Sequence, residues 1–375
     1  MRKKIRNNVG VLGLGIVGSR IAATLRSKGH QVYVWSRTPK PEPNFMGSPG
    51  EIAGLCQVIQ LFVTDGFAVM QCIEDMGPRL TGEHVICCHA TIGREATLEA
   101  AERAKAYGAQ FLDAPFTGSK NAAAQGALCY YIGGDETAYK RAEPILRDSS
   151  KAMVKAGKIG DAATLKVATN MIVASTGQIL AEAFALVKKS GINPTMLASA
   201  MEHHAARSVF VDMKLPGMIA GNYEPHFSLK HMFKDVQIAL QMANDAGLHV
   251  PATATAAAVL YNGIVQGWGE EDFTCIAKLS VPLDEKQPEP ELPVVPATSE
   301  APAEAKPEVA VAVDAKTEQP SSPAAEPDQP KEQAAETNAS EPDLPPGAAA
   351  EVEAEAAKPA TVGMWRSFFG KTKTP

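Results

Sequence analysis

Six cysteines in 375 residues form no C-x-x-C pair and share no metal-ligand spacing with histidine, so neither a disulfide framework nor a zinc site is supported. Cys56, Cys72, Cys87, Cys88, Cys129 and Cys275 lie in or beside apolar runs and read as small core residues. That usage predicts a reducing, cytoplasmic setting. No uninterrupted apolar run reaches the ~18 residues of a membrane span. Excess positive charge is missing too: 36 Lys and Arg face 42 Asp and Glu, a net of −6, which argues against a nucleic-acid binder.

That charge is unevenly spread. Residues 282–360 hold 18 acidic and 5 basic residues, 15 of the 27 prolines and no aromatic residue. Such a Pro/Glu/Ala-rich stretch cannot bury enough apolar surface to offset its ordering entropy, and residues 282–375 are predicted to be a disordered acidic tail. Within it, Met364-Trp365-Arg366-Ser367-Phe368-Phe369 is a candidate weak contact motif. The remaining residues 1–281 carry a net of +4.

The chain starts basic and then turns apolar over Val9–Gly18, which imitates a secretory signal. Four glycines (Gly10, Gly13, Gly15, Gly18) break that run, and it continues into a helical pattern. VGVLGL over 9–14 reads as a buried strand, Gly15–Lys28 as a helix and QVYVW over 31–35 as a second strand. The alternation continues through strands near 58–63, 84–89, 110–114, 127–132 and 152–155. This rhythm predicts a doubly wound, mostly parallel α/β Rossmann domain over residues 7–160. From Asp161 the period becomes helical, with few turn signals before Ser190. Residues 161–281 are predicted to be all-helical and opened by one long interdomain helix.

Gly13-Leu14-Gly15-Ile16-Val17-Gly18 matches G-x-G-x-x-G where a strand gives way to a helix. There the first glycine makes the turn, the second lets a pyrophosphate approach the backbone and the third packs helix on strand. An NAD enzyme usually places a carboxylate about 20 residues on, for the ribose 2′-hydroxyl. This chain has Ser36-Arg37-Thr38 instead, a guanidinium fork and two hydroxyls suited to a 2′-phosphate. NADP(H) is therefore favoured over NAD(H).

The motifs together resemble the β-hydroxyacid dehydrogenase family, in particular its glyoxylate/succinic semialdehyde reductase branch, which is 3-hydroxyisobutyrate dehydrogenase-like. Four blocks over roughly residues 8–280 carry the resemblance: the glycine fingerprint with Ser36-Arg37-Thr38; Asp113-Ala114-Pro115-Phe116-Thr117-Gly118-Ser119-Lys120; Lys166-Val167-Ala168-Thr169-Asn170; and Phe227-Ser228-Leu229-Lys230-His231 with Lys234-Asp235. The resemblance implies a Rossmann domain, a long interdomain helix and a helical domain that supports a homodimer or homotetramer. It also implies Lys166 as catalytic acid, Asn170 as a substrate ligand, and Thr117, Gly118 and Ser119 as the substrate loop. Phe227 then lies at the mouth of the site, Lys234 near the cofactor, and Val63, Thr64 and Thr91 at strand ends beside the nicotinamide ribose. Two features depart from the family pattern: Thr117 stands where serine is usual, and Thr64-Asp65-Gly66 replaces a Pro-containing turn.

The implied activity is NADPH-dependent reduction of a small carboxylate-bearing aldehyde, such as glyoxylate or succinic semialdehyde, to the hydroxyacid, and the reverse oxidation. Burial, the positive end of its helix and Lys234 or Lys120 would each lower the pKa of Lys166 toward that of a useful acid. Lys166 and Asn170, four apart, share a helix face. No metal is expected. Rival readings are an imine reductase of the same architecture, which usually lacks the lysine, and a non-catalytic oligomeric scaffold with a partner-binding tail.

Overall fold

The structure, a computed structural model, describes residues 8–281; the acidic tail and the Met364–Phe369 cluster lie outside the described residues. Eight strands form one sheet: β1 (Asn8–Leu12), β2 (Gln31–Trp35), β3 (Val58–Leu61), β4 (Val85–Cys88), β5 (Gln110–Asp113), β6 (Phe116–Thr117), β7 (Leu128–Gly134) and β8 (Ser150–Gly157). Their order is β2-β1-β3-β4-β5-β7-β6, with β8 also paired to β7. The first five run parallel, whereas β7 meets β5 and β6 antiparallel. After β1 the chain steps out to β2 and then crosses to β3 on the other side. That reversal opens a crevice at the carboxyl ends of β1 and β3, where doubly wound sheets bind ligands.

Strand residues alternate between two cores. Val85 and Cys87 face one side, with α1 (Gly18–Ser27) and α6 (Glu136–Asp148); Ile86 and Cys88 face the other, with α3 (Gly66–Met76) and α4 (Arg94–Ala106). The short helices α2 (Pro49–Ala53) and α5 (Lys120–Ala124) fill the connections. Covered on both faces, the parallel strands are apolar almost throughout. The first helix begins at Gly18 rather than Gly15, because residues 15–17 form a turn.

The long helix α7 (Asp161–Lys189) follows. It packs against β7 and β8 at its start and against α9 (Val209–Ala220), α10 (Leu229–Asp245) and α11 (Pro251–Val265) further on. Helices α8 (Thr195–Glu202) and α12 (Ala277–Ser280) complete the set. By length and composition α7 could cross a membrane, yet its Ala174, Leu180, Ala181, Phe184 and Ala185 are buried in the helical core. All six cysteines are unpaired, and five are buried. Burial pushes the thiols of Cys56, Cys72, Cys88 and Cys275 up to about 12, which suits inert packing.

Candidate active site

The glycine fingerprint occupies the crevice. Gly13 has φ +97°, a left-handed conformation, and a Cβ there would strike the Phe62 carbonyl. A Cβ on Gly18 would strike the Gly13 carbonyl. These two glycines are required by the chain's own packing. Gly15 is different: a Cβ there would meet no atom within 4 Å, and the residue is exposed. Nothing in the protein demands glycine at 15, whereas a phosphate group drawn against the backbone does. Helix α1 also starts without a side-chain cap; its Ser19 amide makes only a long bond, 3.3 Å, to the Gly15 carbonyl, so the first turn still faces the crevice with positive character. The residues present fit a dinucleotide.

Neighbouring elements bring the other cofactor candidates to this crevice. The Gly13 amide donates to the Trp35 carbonyl at 2.8 Å, which sets the end of β2 and Ser36-Arg37-Thr38 beside the glycine turn. The Ser36 hydroxyl donates to the Thr38 carbonyl at 2.6 Å and shapes that loop. Arg37 is exposed and makes no hydrogen bond among the described residues. Lys40, which had no assigned role, reaches back to donate to the Leu14 carbonyl, adding a second cation at the same edge. Val63 and Thr64 follow β3 on the opposite wall, with the Phe62 amide bonded to the Leu12 carbonyl at 2.8 Å. The unusual Thr64-Asp65-Gly66 turn has a local cause: Asp65 caps α3 through the Ala68 amide at 2.9 Å and accepts from the Thr64 hydroxyl at 2.7 Å.

A second group forms where α7 and α10 approach the end of β4. Asn170, buried, donates from Nδ2 to Asp235 Oδ2 at 2.6 Å. Asp235 Oδ1 pairs with Lys234 Nζ at 2.7 Å, and the same ammonium donates to the Thr91 carbonyl at 2.6 Å. Asp235 is therefore the hub that connects Asn170, Lys234 and Thr91. Its bond fixes the Asn170 amide, so Oδ1 is left as the acceptor.

Lys166 stands one turn before Asn170 on the same helix. Its side chain is partly buried and makes no hydrogen bond or ion pair among the described residues. Burial pushes its pKa below the ordinary lysine value, Asp235 opposes that shift and Lys234 adds to it. Lys120 makes no such contribution, contrary to expectation. The helix terminus is also remote, because Lys166 is the sixth residue of α7 and terminal effects fade within the first turn. Desolvation carries the shift.

The start of α7 is held by a residue whose role had not been recognised. Buried Asp113, the last residue of β5, accepts from the Gly160 amide at 2.9 Å and the Ala163 amide at 2.8 Å. Burial pushes its carboxyl up to about 6 against the pull of these amides. This cap fixes α7 to the sheet.

The third group is the loop Thr117-Gly118-Ser119. Thr117 and Gly118 are exposed, and Gly118 adopts φ +136°. The Ser119 hydroxyl caps α5 through the Ala122 amide at 3.2 Å, keeping its own proton free to donate. Lys120 pairs with Glu224 of the helical half. Phe227 is half-buried beside the Phe273 ring, with centroids 6.3 Å apart. Its backbone is pinned by buried Asp272, whose Oδ2 accepts from the amides of His226 and Phe227 and pairs with Lys214. Among the described residues, no three His, Cys, Asp or Glu side chains converge as a metal site would require.

Two families account for this part of the chain. Residues 8–160 match the NAD binding domain of 6-phosphogluconate dehydrogenase, and residues 160–280 match the family described as NAD-binding of NADP-dependent 3-hydroxyisobutyrate dehydrogenase. Glyoxylate/succinic semialdehyde reductase 2 of Arabidopsis thaliana is 29% identical over 280 residues, 72% of this chain and 78% of that protein. The mouse cytokine-like nuclear factor N-PAC is 29% identical over 257 residues, 68% of this chain, which spans only 47% of that relative. A solved 3-hydroxyisobutyrate dehydrogenase from Mycobacterium tuberculosis, 24% identical, superposes with a TM-score of 0.66 over 73% of this chain and 99% of its own, a likeness of fold.

Proposed function

We propose, from the two family matches and the likeness to glyoxylate/succinic semialdehyde reductases, that the chain is an oxidoreductase of the β-hydroxyacid dehydrogenase family that reduces small carboxylate-bearing aldehydes to hydroxyacids with NADPH. Glyoxylate and succinic semialdehyde are the proposed substrates. One observation carries this reading: a partly buried Lys166 side chain, with no partner among the described residues, one turn from an Asn170 held by Asp235.

A bound nicotinamide supplies the hydride. Lys166 donates a proton to the carbonyl oxygen as it gains negative charge, and takes it back in oxidation. Its lowered pKa makes it a better acid than a solvated lysine. Asn170 Oδ1 orients the Lys166 ammonium or accepts from the product hydroxyl. Amides and hydroxyls of Thr117, Gly118 and Ser119 hold the carboxylate of a substrate as short as glyoxylate, and Phe227 closes the mouth. Lys234, braced on Thr91 and Asp235, keeps positive charge beside the cofactor region.

The cofactor preference rests on Arg37 and Lys40 at the end of β2, where no carboxylate stands. Arg37→Ala removes a charge-assisted contact and should weaken NADPH binding about 10- to 150-fold. NADH binding should barely change; equal loss for both would contradict the assignment.

A homo-oligomer is part of the reading. Leu165, Ile172, Ile179 and Leu186 lie exposed at seven-residue intervals along α7, a stripe that a second copy would cover. Light scattering of the purified protein reads this directly. The unpaired cysteines support a reducing, cytoplasmic setting. Likeness to a nuclear factor favours the scaffold alternative; against it stands a Lys166 side chain that no group among the described residues pairs, one turn from Asn170. An NADPH oxidation screen with glyoxylate, succinic semialdehyde, tartronate semialdehyde and a cyclic imine separates these readings. The account requires turnover of the aldehydes.

A further inference from the structure

The mouth of the site holds an ion pair that the reaction above leaves unused. Lys120 directly follows the Thr117-Gly118-Ser119 loop, and its partner Glu224 lies 104 residues on, in the loop between α9 and α10. The two side chains differ sharply in exposure. Lys120 is 19% exposed, whereas Glu224 is 67% exposed. The lysine side chain is thus the more covered of the pair, and the carboxylate meets it from the more exposed side.

Other charges nearby are already committed. Asp272 is buried and takes up Lys214 and the two amides of His226 and Phe227. His226, between Glu224 and Phe227, is held toward its neutral form by burial, with Lys214 and Lys120 adding to the effect. Glu224 is the carboxylate that neutralises Lys120 among the described residues. An ion pair with so exposed a partner is worth little, so another anion can replace Glu224 at small cost.

Position says which anion. Lys120 lies next in sequence to the loop that holds a carboxylate, yet outside the charges that act on Lys166. A two-carbon oxoacid carries its carboxylate on the aldehyde carbon itself, within reach of the loop. A four-carbon semialdehyde carries it two methylenes further away. We propose that Lys120 receives the far carboxylate of these longer semialdehydes, and that Glu224 is the counter-ion the substrate displaces. The inference rests on the aldehyde-reductase reading. It makes Lys120 a determinant of chain length, leaving hydride and proton transfer as described.

The test compares glyoxylate with succinic semialdehyde on wild type, Lys120→Met and Glu224→Gln, with unfolding temperature and NADPH affinity measured on each preparation. Lys120→Met should lower kcat/KM for succinic semialdehyde about 10- to 100-fold, the usual loss for a hydrogen-bonded charge, and at least tenfold more than for glyoxylate. Glu224→Gln removes the competing carboxylate and should lower KM for succinic semialdehyde a few-fold. Equal loss on both substrates in Lys120→Met would reduce the pair to a structural tie and overturn the inference, as would a raised KM in Glu224→Gln. Wild type that reduces glyoxylate but not succinic semialdehyde would overturn it too, with the reductase reading intact. Reduction of neither would bring down the reading beneath it.

Discussion

Gly15 and Gly18 are three residues apart in one motif and carry different obligations. Gly18 serves the fold, because a methyl group there meets the Gly13 carbonyl. Gly15 has no such packing obligation, because a methyl group there meets open space, and the proposed function gives it to the dinucleotide. Gly18→Ala should therefore destabilise the chain by about 1–3 kcal/mol, as overpacking does. Gly15→Ala should melt close to wild type and lose dinucleotide affinity. Thermal melts and cofactor titrations of both variants read this out; the reverse pattern would mean that Gly15 serves local structure. The motif was legible because glycine spacing reports backbone demands. Asp235 and Lys40 were not legible as site residues. An aspartate beside a lysine in a helix looks like a solvated pair, and only the fold buries Asp235 against Asn170. Lys40 follows a proline in an exposed loop, and nothing local says that it folds back on Leu14.

Among the elements, α7 shows how a distant residue holds a helix in place. Asp113 caps it across 47 residues, a separation that no local pattern reveals. The Asp113 carboxyl sits at about 6 in the fold against an ordinary 3.8, so between those values the folded chain keeps a proton that the unfolded chain has released. The stability this group adds is then full below about 3.8 and is lost as pH rises through about 6. Asp113→Asn keeps an acceptor for both amides and removes the titration. The stability difference, wild type minus variant, should grow as pH falls from 7 to 4. Chemical denaturation at both pH values tests it, and a difference that shrinks on acidification would contradict the account.

Other helices hid behind their prolines. Helix α6 contains Pro144 and α9 contains Pro216 followed by Gly217, residues that read as breaks. In α6, burial of Ala138, Tyr139, Ala142, Ile145 and Leu146 offsets the lost hydrogen bond. In α9 the Ser208 cap and the buried Val211, Leu215 and Met218 do the same. The parallel strands β1 to β5 and α7 needed no such tertiary help to be recognised, because their apolar runs are nearly unbroken, whereas the two-residue β6 carries no such run.

At the scale of the whole molecule, the account is of two halves that each supply part of one reaction. The sheet holds the dinucleotide crevice, Thr91 and the substrate loop; the helical half brings Lys166, Asn170, Lys234 and Phe227. Lys234 to Thr91, Lys120 to Glu224, Arg94 to Asp161 and the Ala163 amide to Asp113 are among the bonds that join the halves. Reduction needs the Lys166 ammonium, so its rate should fall as pH rises through the lowered Lys166 pKa, below the ordinary 10.5. Oxidation needs the free amine and should rise over the same range. The most direct measurement takes Lys166→Ala and follows NADPH binding and aldehyde reduction on the same preparation. The account predicts a folded variant that binds NADPH as wild type does and turns over about 10²–10⁴ more slowly, the contribution of a positioned general acid. Lys166→Arg should fail likewise, because a guanidinium keeps its proton. Turnover retained in Lys166→Ala would mean that another group protonates the product, and the central claim would be wrong.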